Sequence, residues 1–300
     1  MMSRHRDQAQ SLREMVQHSR NKTSNSNCRG ARFIAVSGGK GGVGKSNISL
    51  NLALSLGQNN HKVVVLDTDF GLPNLDILVG CAPQWSIADV VAGRCDAQAA
   101  LHPLTEKVSL LAGGDLWGDR PPQPEEARRF LQTLAHQVSQ LDYLIIDTQA
   151  GTSPAVTGLL AAAELVLMVV VPEPTSVMDA YRTIKQVEAL DGDRDIGMLI
   201  NRSNEKTARR TFSAIDNMMV KFLSTEARFL GWIPEDKAVR KAVQRQTPLV
   251  EIYPKSRAAR SIVQLAEVID GDDKQTAGAA KGFLNRLADH MRGLVSKEAR

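Results

Sequence analysis

The sequence predicts a doubly wound α/β fold on a mostly parallel sheet, with helical extensions at both ends. Short apolar runs recur along the chain with amphipathic stretches between them. Several of those runs lack polar alternation, and a glycine-rich loop joins the first run to the first helix pattern. A strand covered by helices on both faces has no polar side and reads as an unbroken apolar run. Strands that alternate with helices make parallel units.

Strands are expected at 33–36, 63–66, 108–111, 144–146, 165–171, 198–200 and 229–233. After the first of them Ile48, Leu52 and Leu56 recur at four-residue spacing, as on one face of a helix. A second helix is expected at 124–141, where Pro124 suits the first helical position and Glu125 and Glu126 suit the first turn. A third is expected at 176–190, capped by Ser176 with Asp179 three residues on. Residues 18–30 and 270–278 are polar and read as linkers. The chain therefore divides into a segment 1–30, a core 31–269 and a segment 270–300.

With 43% hydrophobic residues, 300 residues supply a real core for one large or two ordinary domains. The longest apolar run, 159–171, is interrupted by Glu164 and is too short to span a bilayer. The N-terminus is basic and polar without an apolar signal region, so a cytoplasmic protein is expected. Cys28, Cys81 and Cys95 form no CxxC pair, which argues against a disulfide framework or a zinc or iron–sulfur site. The formal charge of +4 is concentrated at the ends. Six basic residues face two acidic ones in the first thirty positions, and five face two in the last twenty-five. The body between is slightly acidic, so the tails are the parts suited to acidic partners or anionic lipid, and no specific nucleic acid is expected.

The loop itself is "VSGGKGGVGKSN", residues 36–47. Gly39, Gly44, Lys45 and Ser46 satisfy the phosphate-loop spacing between a strand and a helix. Glycines let successive backbone N–H groups face phosphates, the lysine adds charge, and the serine hydroxyl suits Mg²⁺. Gly41, Gly42, Val43 and Asn47 complete the wrap, and a nucleotide with Mg²⁺ is the expected ligand. Asp67 and Asp69, at a strand's C-terminal end, place carboxylates where ligands bind in this architecture. Asp147 ends another apolar run, and Gly151 suits a tight turn.

"GGKGGVGKS" resembles the deviant Walker A loop of the MinD/ParA ATPases, a P-loop NTPase family. The likeness continues through "LDTDFGLPNLDILVG", "YLIIDTQAG", "PEPTSVMDAY", "LINRS" and "GWIPEDKAVRKAV", in family order. It implies an ATPase that forms an ATP-dependent homodimer, with Lys40 reaching across to the partner's nucleotide. It further implies that Asp69 orients the attacking water and that Ser46, Asp67 and Asp147 serve the metal. Asn201 would read adenine, with Pro234, Glu235 and Asp236 as a second wall. Gln149 departs from the small residue or proline usual in the family at its place.

The ends set the client. "DQAQSLREMVQ" puts Ala9, Leu12, Met15 and Val16 on one helical face, a helix too short to be stable alone. "DQAQSLR" resembles the activator segment of the flagellar-number ATPases, the FlhG family, which docks on the FlhF-type GTPase. That likeness implies that Gln8 enters the GTPase site and Leu12 anchors, with Ala9 beside it. Flagellar switch-complex proteins or a flagellar transcription activator are further clients it admits. "KGFLNRLADHMRGLV" carries Phe283, Leu284, Leu287 and Met291 on one face, ringed by Lys281, Arg286 and Arg292. Its opening is similar to the membrane-targeting tail of MinD proteins, which implies a peripheral place on the inner face of the cell membrane. A last helix packed on the core is the other reading of the same pattern. Two rival functions share the loop. A partition or cell-division-site ATPase is one, and the DNA-binding form would want a basic core. A metabolic enzyme or cluster carrier is the other, and it would want cysteines at the switch segments.

Overall fold

A computed structural model describes residues 31–69, 74–116, 123–138, 140–151, 153–190, 194–272 and 279–297. The segment carrying Gln8, Ala9 and Leu12 lies outside the described residues, as do Cys28 and positions 273–278.

The described strands are β1 (Arg32–Ser37), β2 (Val63–Asp67), β3 (Leu101–Pro103), β4 (Val108–Leu111), β5 (Tyr143–Asp147), β6 (Leu165–Val170), β7 (Asp195–Asn201) and β8 (Arg228–Ile233). They form one sheet in the order β3-β4-β2-β5-β1-β6-β7-β8. Every pairing is parallel except β3 with β4. All seven expected strands are present. β3 was not expected: it is three residues long, contains a proline and lies at the sheet edge, where its missing N–H is tolerated.

β1 shows why the apolar runs are unbroken. Phe33 and Ala35 face one core layer, and Ile34 and Val36 face the other. On the Ile34 side, α1 (Lys45–Gln58) contributes Ile48, Leu52 and Leu56. It packs beside α10 (Arg257–Asp270), which brings Ile262 and Leu265. On the Phe33 side lie α4 (Pro124–Val138), α5 (Pro154–Ala162), α6 (Pro174–Leu190) and α7 (Glu205–Leu223). Each such side chain taken from water contributes about 1.5–3 kcal/mol. Short helices α2 (Leu75–Val79), α3 (Ile87–Val91), α8 (Lys237–Gln244) and α9 (Leu249–Ile252) fill the loops.

Three expectations need correcting. α4 ends at Val138 rather than 141. α6 begins at Pro174, so Ser176 lies inside its first turn, buried, where its hydroxyl accepts the Val171 amide instead of capping the helix. The start of the second expected linker is tied down: Arg32 donates to the Ile269 carbonyl at 2.5 Å, and Asp272 pairs with Arg32 at 3.3 Å and Arg228 at 2.6 Å.

The last helix, α11 (Ala279–Lys297), packs on the core. Phe283, Leu287 and Met291 are buried and Leu284 is partly so, the arrangement of the second reading, a last helix packed on the core. Phe283 stacks on Phe33 with ring centroids 4.1 Å apart and planes 13° from parallel. Arg286 donates to the Ala162 carbonyl at 3.1 and 2.7 Å, closing the C-terminal end of α5. His290 Nε2 lies 2.7 Å from the Pro154 carbonyl at the other end of α5. Gly158 makes room for that ring, since a Cβ there would come within 2.0 Å of it. No described helix is long and apolar enough to cross a membrane.

Candidate nucleotide site

The parallel strands β1, β2, β5 and β6 end side by side, and the loop from β1 to α1 crosses above them. Gly42 (φ 78°) and Gly44 (φ 101°) take left-handed backbone that side chains resist. A Cβ on Gly41 or Gly42 would meet nothing within 4 Å, so an incoming group can approach this backbone closely. Gly39 is confined in the opposite way, against Asp179 and Ala180 of α6, where a Cβ would sit 2.2 Å from backbone. The outer flank is braced by β7: Asn201 Nδ2 donates to the Val43 carbonyl at 2.7 Å and Arg202 donates to the Gly42 carbonyl at 2.9 Å.

Beneath the loop sit the charged groups. Lys45 is only 8% exposed, and burial holds its ammonium below the usual lysine range despite the opposing pull of Asp147 and Asp69. Asp147 is almost fully enclosed. Burial first, then the charge of Asp67, pushes its carboxyl up to about 7, against hydrogen bonds from Ser46 and Ser49 and the charge of Lys45. Asp67 is its register partner on β2 and is likewise raised, mainly by burial. Its two oxygens accept the amides of Asp69, Asn74 and Leu75, which hold the ends of the β2–α2 loop together. Asp69 is half-buried at the start of that loop, and residues 70–73 lie outside the description.

The expected site residues thus converge at one edge. Lys40, Lys45, Ser46, Asp69 and Asp147 surround the loop, while Gly151 (φ 104°) opens the segment after β5 with free space around it. Gln149 is exposed beside it. Asn201 is nearby but braces the loop, leaving one amide hydrogen and a carbonyl lone pair for a ligand. The Asp236 carboxylate caps α8 at the Ala238 amide and also accepts the Ala258 amide of α10, leaving its backbone for the expected wall. Pro234 lines a cavity of about 640 Å³ shared with Arg202, Trp232, Arg257 and Arg260.

Three participants were missed in the sequence. Ser49 donates to Asp147 at 2.8 Å, and its signal was a serine one turn after Lys45 on a buried helix face. Arg202 follows Asn201 directly. Glu173, which pairs with Lys40 at 2.5 Å, stood in the quoted "PEPTSVMDAY" without a role. The donor set fits a phosphate chain and a divalent cation. The cradle is open where phosphates approach, and a buried carboxylate with two flanking serine hydroxyls lies below.

The ParA family model, described as an iron-transfer P-loop NTPase of the NUBPL type, matches residues 30–270. The chain belongs to the ParA/MinD family of P-loop ATPases. It is 35% identical over 263 residues to the antiactivator FleN of Pseudomonas aeruginosa, across 86% of this chain and 94% of that one. It is 30% identical over 300 residues to the flagellum site-determining protein YlxH of Helicobacter pylori, across 95% and 99% of the two chains. Its fold superposes on MinD in the MinC:MinD cell division complex of Aquifex aeolicus with a TM-score of 0.66 at 27% identity, across 82% of this chain and 98% of that one. The family likeness read from the ordered segments and the doubly wound fold both hold. Within this family member, Cys81 closes α2 and Cys95 follows α3, neither of them in the loop or beside Asp147.

Proposed function

We propose that this family member is a flagellar-number switch: an ATPase that dimerises on ATP, associates with the inner membrane surface as a dimer, and stimulates an FlhF-type GTPase through its first thirty residues. The observation that carries the flagellar client is the extent of likeness to two proteins named for flagellar control. The match to YlxH spans 95% of this chain, so it reaches beyond the core 31–269 into the tails. FleN is matched over 94% of its own length.

The chemistry is phosphoryl transfer to water, which asks mainly for positioning and charge. The loop from Gly39 to Gly44 presents amides to the phosphates, and Lys45, already desolvated, supplies charge without further loss of water. Ser46 and Asp147 would hold Mg²⁺, with Asp67 fixing the adjoining loop; the ion supplies neutralisation of developing phosphate charge when bound. Asp69 orients the attacking water. Asn201 and Pro234 flank the base, and Asp236 contributes by fixing the Pro234 turn. Lys40 completes the partner's site. The C-terminal helix reaches lipid only by leaving its groove, exposing Phe283, Leu284, Leu287 and Met291.

The test of the client is a peptide of residues 1–20 titrated into the cognate FlhF-type GTPase. The wild-type peptide should raise GTP turnover, Gln8→Ala should bind without stimulating, and Leu12→Asp should do neither, because burying an unpaired charge costs several kcal/mol. A wild-type peptide that leaves turnover unchanged ends the FlhF assignment.

A further inference from the structure

The dipeptide Asp-Thr occurs at 67–68 and again at 147–148, and the reaction described above uses only the two aspartates. The sheet sets the two dipeptides side by side. Asp67 and Asp147 are register partners on β2 and β5, and Val36 of β1 continues the row. Thr68 and Thr148 each stand one step further on, at the sheet edge where the phosphate loop crosses, and both are buried.

Each threonine makes the same double contact with the neighbouring strand. The amide and the hydroxyl of Thr68 both donate to the Asp147 carbonyl, at 2.9 and 2.8 Å. Those of Thr148 both donate to the Val36 carbonyl, at 3.2 and 2.8 Å. One residue thus fills both lone pairs of one carbonyl, and three strand ends are chained in the order β2, β5, β1. The end of a strand does not force this contact. Ser37 stands at the same step on β1, fully buried, and its hydroxyl has no hydrogen-bond partner among the described residues. Valine is β-branched like threonine and suits a sheet equally well, so what the hydroxyl adds is a fixed direction. Buried and committed to a carbonyl, it serves as a brace and not as a ligand of phosphate or metal.

The brace at Thr68 acts on the next residue. Asp69 is half-buried, and its amide donates to the Asp67 carboxylate at 2.9 Å. The backbone leading into Asp69 is therefore held twice, by the Asp147 carbonyl at Thr68 and by Asp67 at the Asp69 amide. We propose that Thr68 is a positioning residue for hydrolysis: its hydroxyl, seated on the Asp147 carbonyl, sets the backbone from which Asp69 reaches the attacking water. This aim rests on the Asp69 role proposed above and adds the group that sets it. The phosphate loop stands on β1 and α1, so loss of the brace spares nucleotide binding and is felt when the water must be aligned.

Full-length wild-type, Thr68→Val, Thr68→Ser and Asp69→Ala proteins are compared with Mg²⁺ present throughout. Thr68→Val keeps the branched shape and loses the donor. Its kcat for ATP should fall at least about fivefold, the loss of one net hydrogen bond, with KM and the affinity for a non-hydrolysable ATP analogue within about twofold of wild type. Capture of ADP with aluminium fluoride, which imitates the phosphoryl group in transfer, should weaken by the same factor as kcat. Thr68→Ser, which keeps the hydroxyl, should bring both back to within about twofold of wild type. In an Asp69→Ala background, Thr68→Val should weaken that capture no further, since the effect passes through the aspartate. Turnover and capture by Thr68→Val equal to wild type overturn the proposal. So does a loss that appears equally in analogue affinity or that serine does not restore, because that is the mark of a damaged fold. Asp69→Ala protein that turns over like wild type fails the Asp69 reading itself, before any threonine variant is compared.

Discussion

At the scale of the residue, the two lysines of the loop sit in opposite environments. Lys45 is buried over Asp147, whereas Lys40 is half in water on Glu173. Lys45→Ala should therefore abolish ATP binding, while Lys40→Ala should bind ATP within about twofold of wild type as monomer and lose the ATP-dependent dimer. Titration calorimetry at low concentration and sedimentation at high concentration separate the two losses. Asp147 gives a pH prediction with a definite sign. Its carboxyl is raised from 3.8 to about 7 in the fold, chiefly by burial, so the folded protein holds that proton more tightly than the unfolded chain. Its contribution to stability is complete below about pH 4 and is lost as pH rises through about 7. Asp147→Asn carries no such loss. In the absence of metal and nucleotide, its melting temperature relative to wild type should rise from about pH 4 upward, by about 5 °C between pH 5 and pH 8. A constant difference across that range would show that Asp147 is ionised in the fold throughout.

At the scale of the element, what was legible in the sequence is what packing makes obligatory. Seven strands announced themselves because helices cover both their faces, and the loop announced itself because only glycine suits its backbone at Gly42 and Gly44. β3 gave no signal because an edge strand of three residues needs neither length nor alternation. Ser176 was misread because a serine near a helix start suits a cap by type alone, and only the fold shows that its hydroxyl serves the Val171 amide. α11 is the clearest limit: its apolar stripe states that one face leaves water, and the partner that covers it is not written in the helix. Here the cover is β1, α4 and α5. Gly158 of α5 leaves the space that the His290 ring of α11 fills. Gly158→Val should displace the His290 ring, break its contact with Pro154 and raise amide exchange across 279–297 at least about tenfold, with strands β1, β5 and β6 unchanged. If that helix is the lipid anchor, liposome binding should then appear without ATP. Raised exchange with no liposome binding would leave α11 a structural helix alone.

At the scale of the whole molecule, α5 joins the two ends of the proposed switch. Its N-terminus follows Gly151 by three residues, and α11 lies along its length from Pro154 to Ala162. The groove under α11 includes Phe33 of the central strand, so simple deletion of the C-terminal segment would expose apolar core and invite aggregation. Substitutions that leave the chain whole are the sound probes. One short amphipathic anchor gives weak, reversible membrane binding, and two held in one dimer act together. Wild-type protein with ATP should bind anionic vesicles at least about tenfold more tightly than Lys40→Ala with ATP, because the variant keeps its nucleotide and loses only the second anchor. Asp69→Ala, which keeps both nucleotide and dimer but not the oriented water, should stay on the vesicles after wild type has turned over and left. Co-sedimentation with vesicles over time, alongside phosphate release, follows both quantities in one experiment. Equal vesicle affinity for wild type and Lys40→Ala would show that nucleotide binding by the monomer is enough to free the helix. The control would then lie within one chain, along α5, and the dimer would serve a later step.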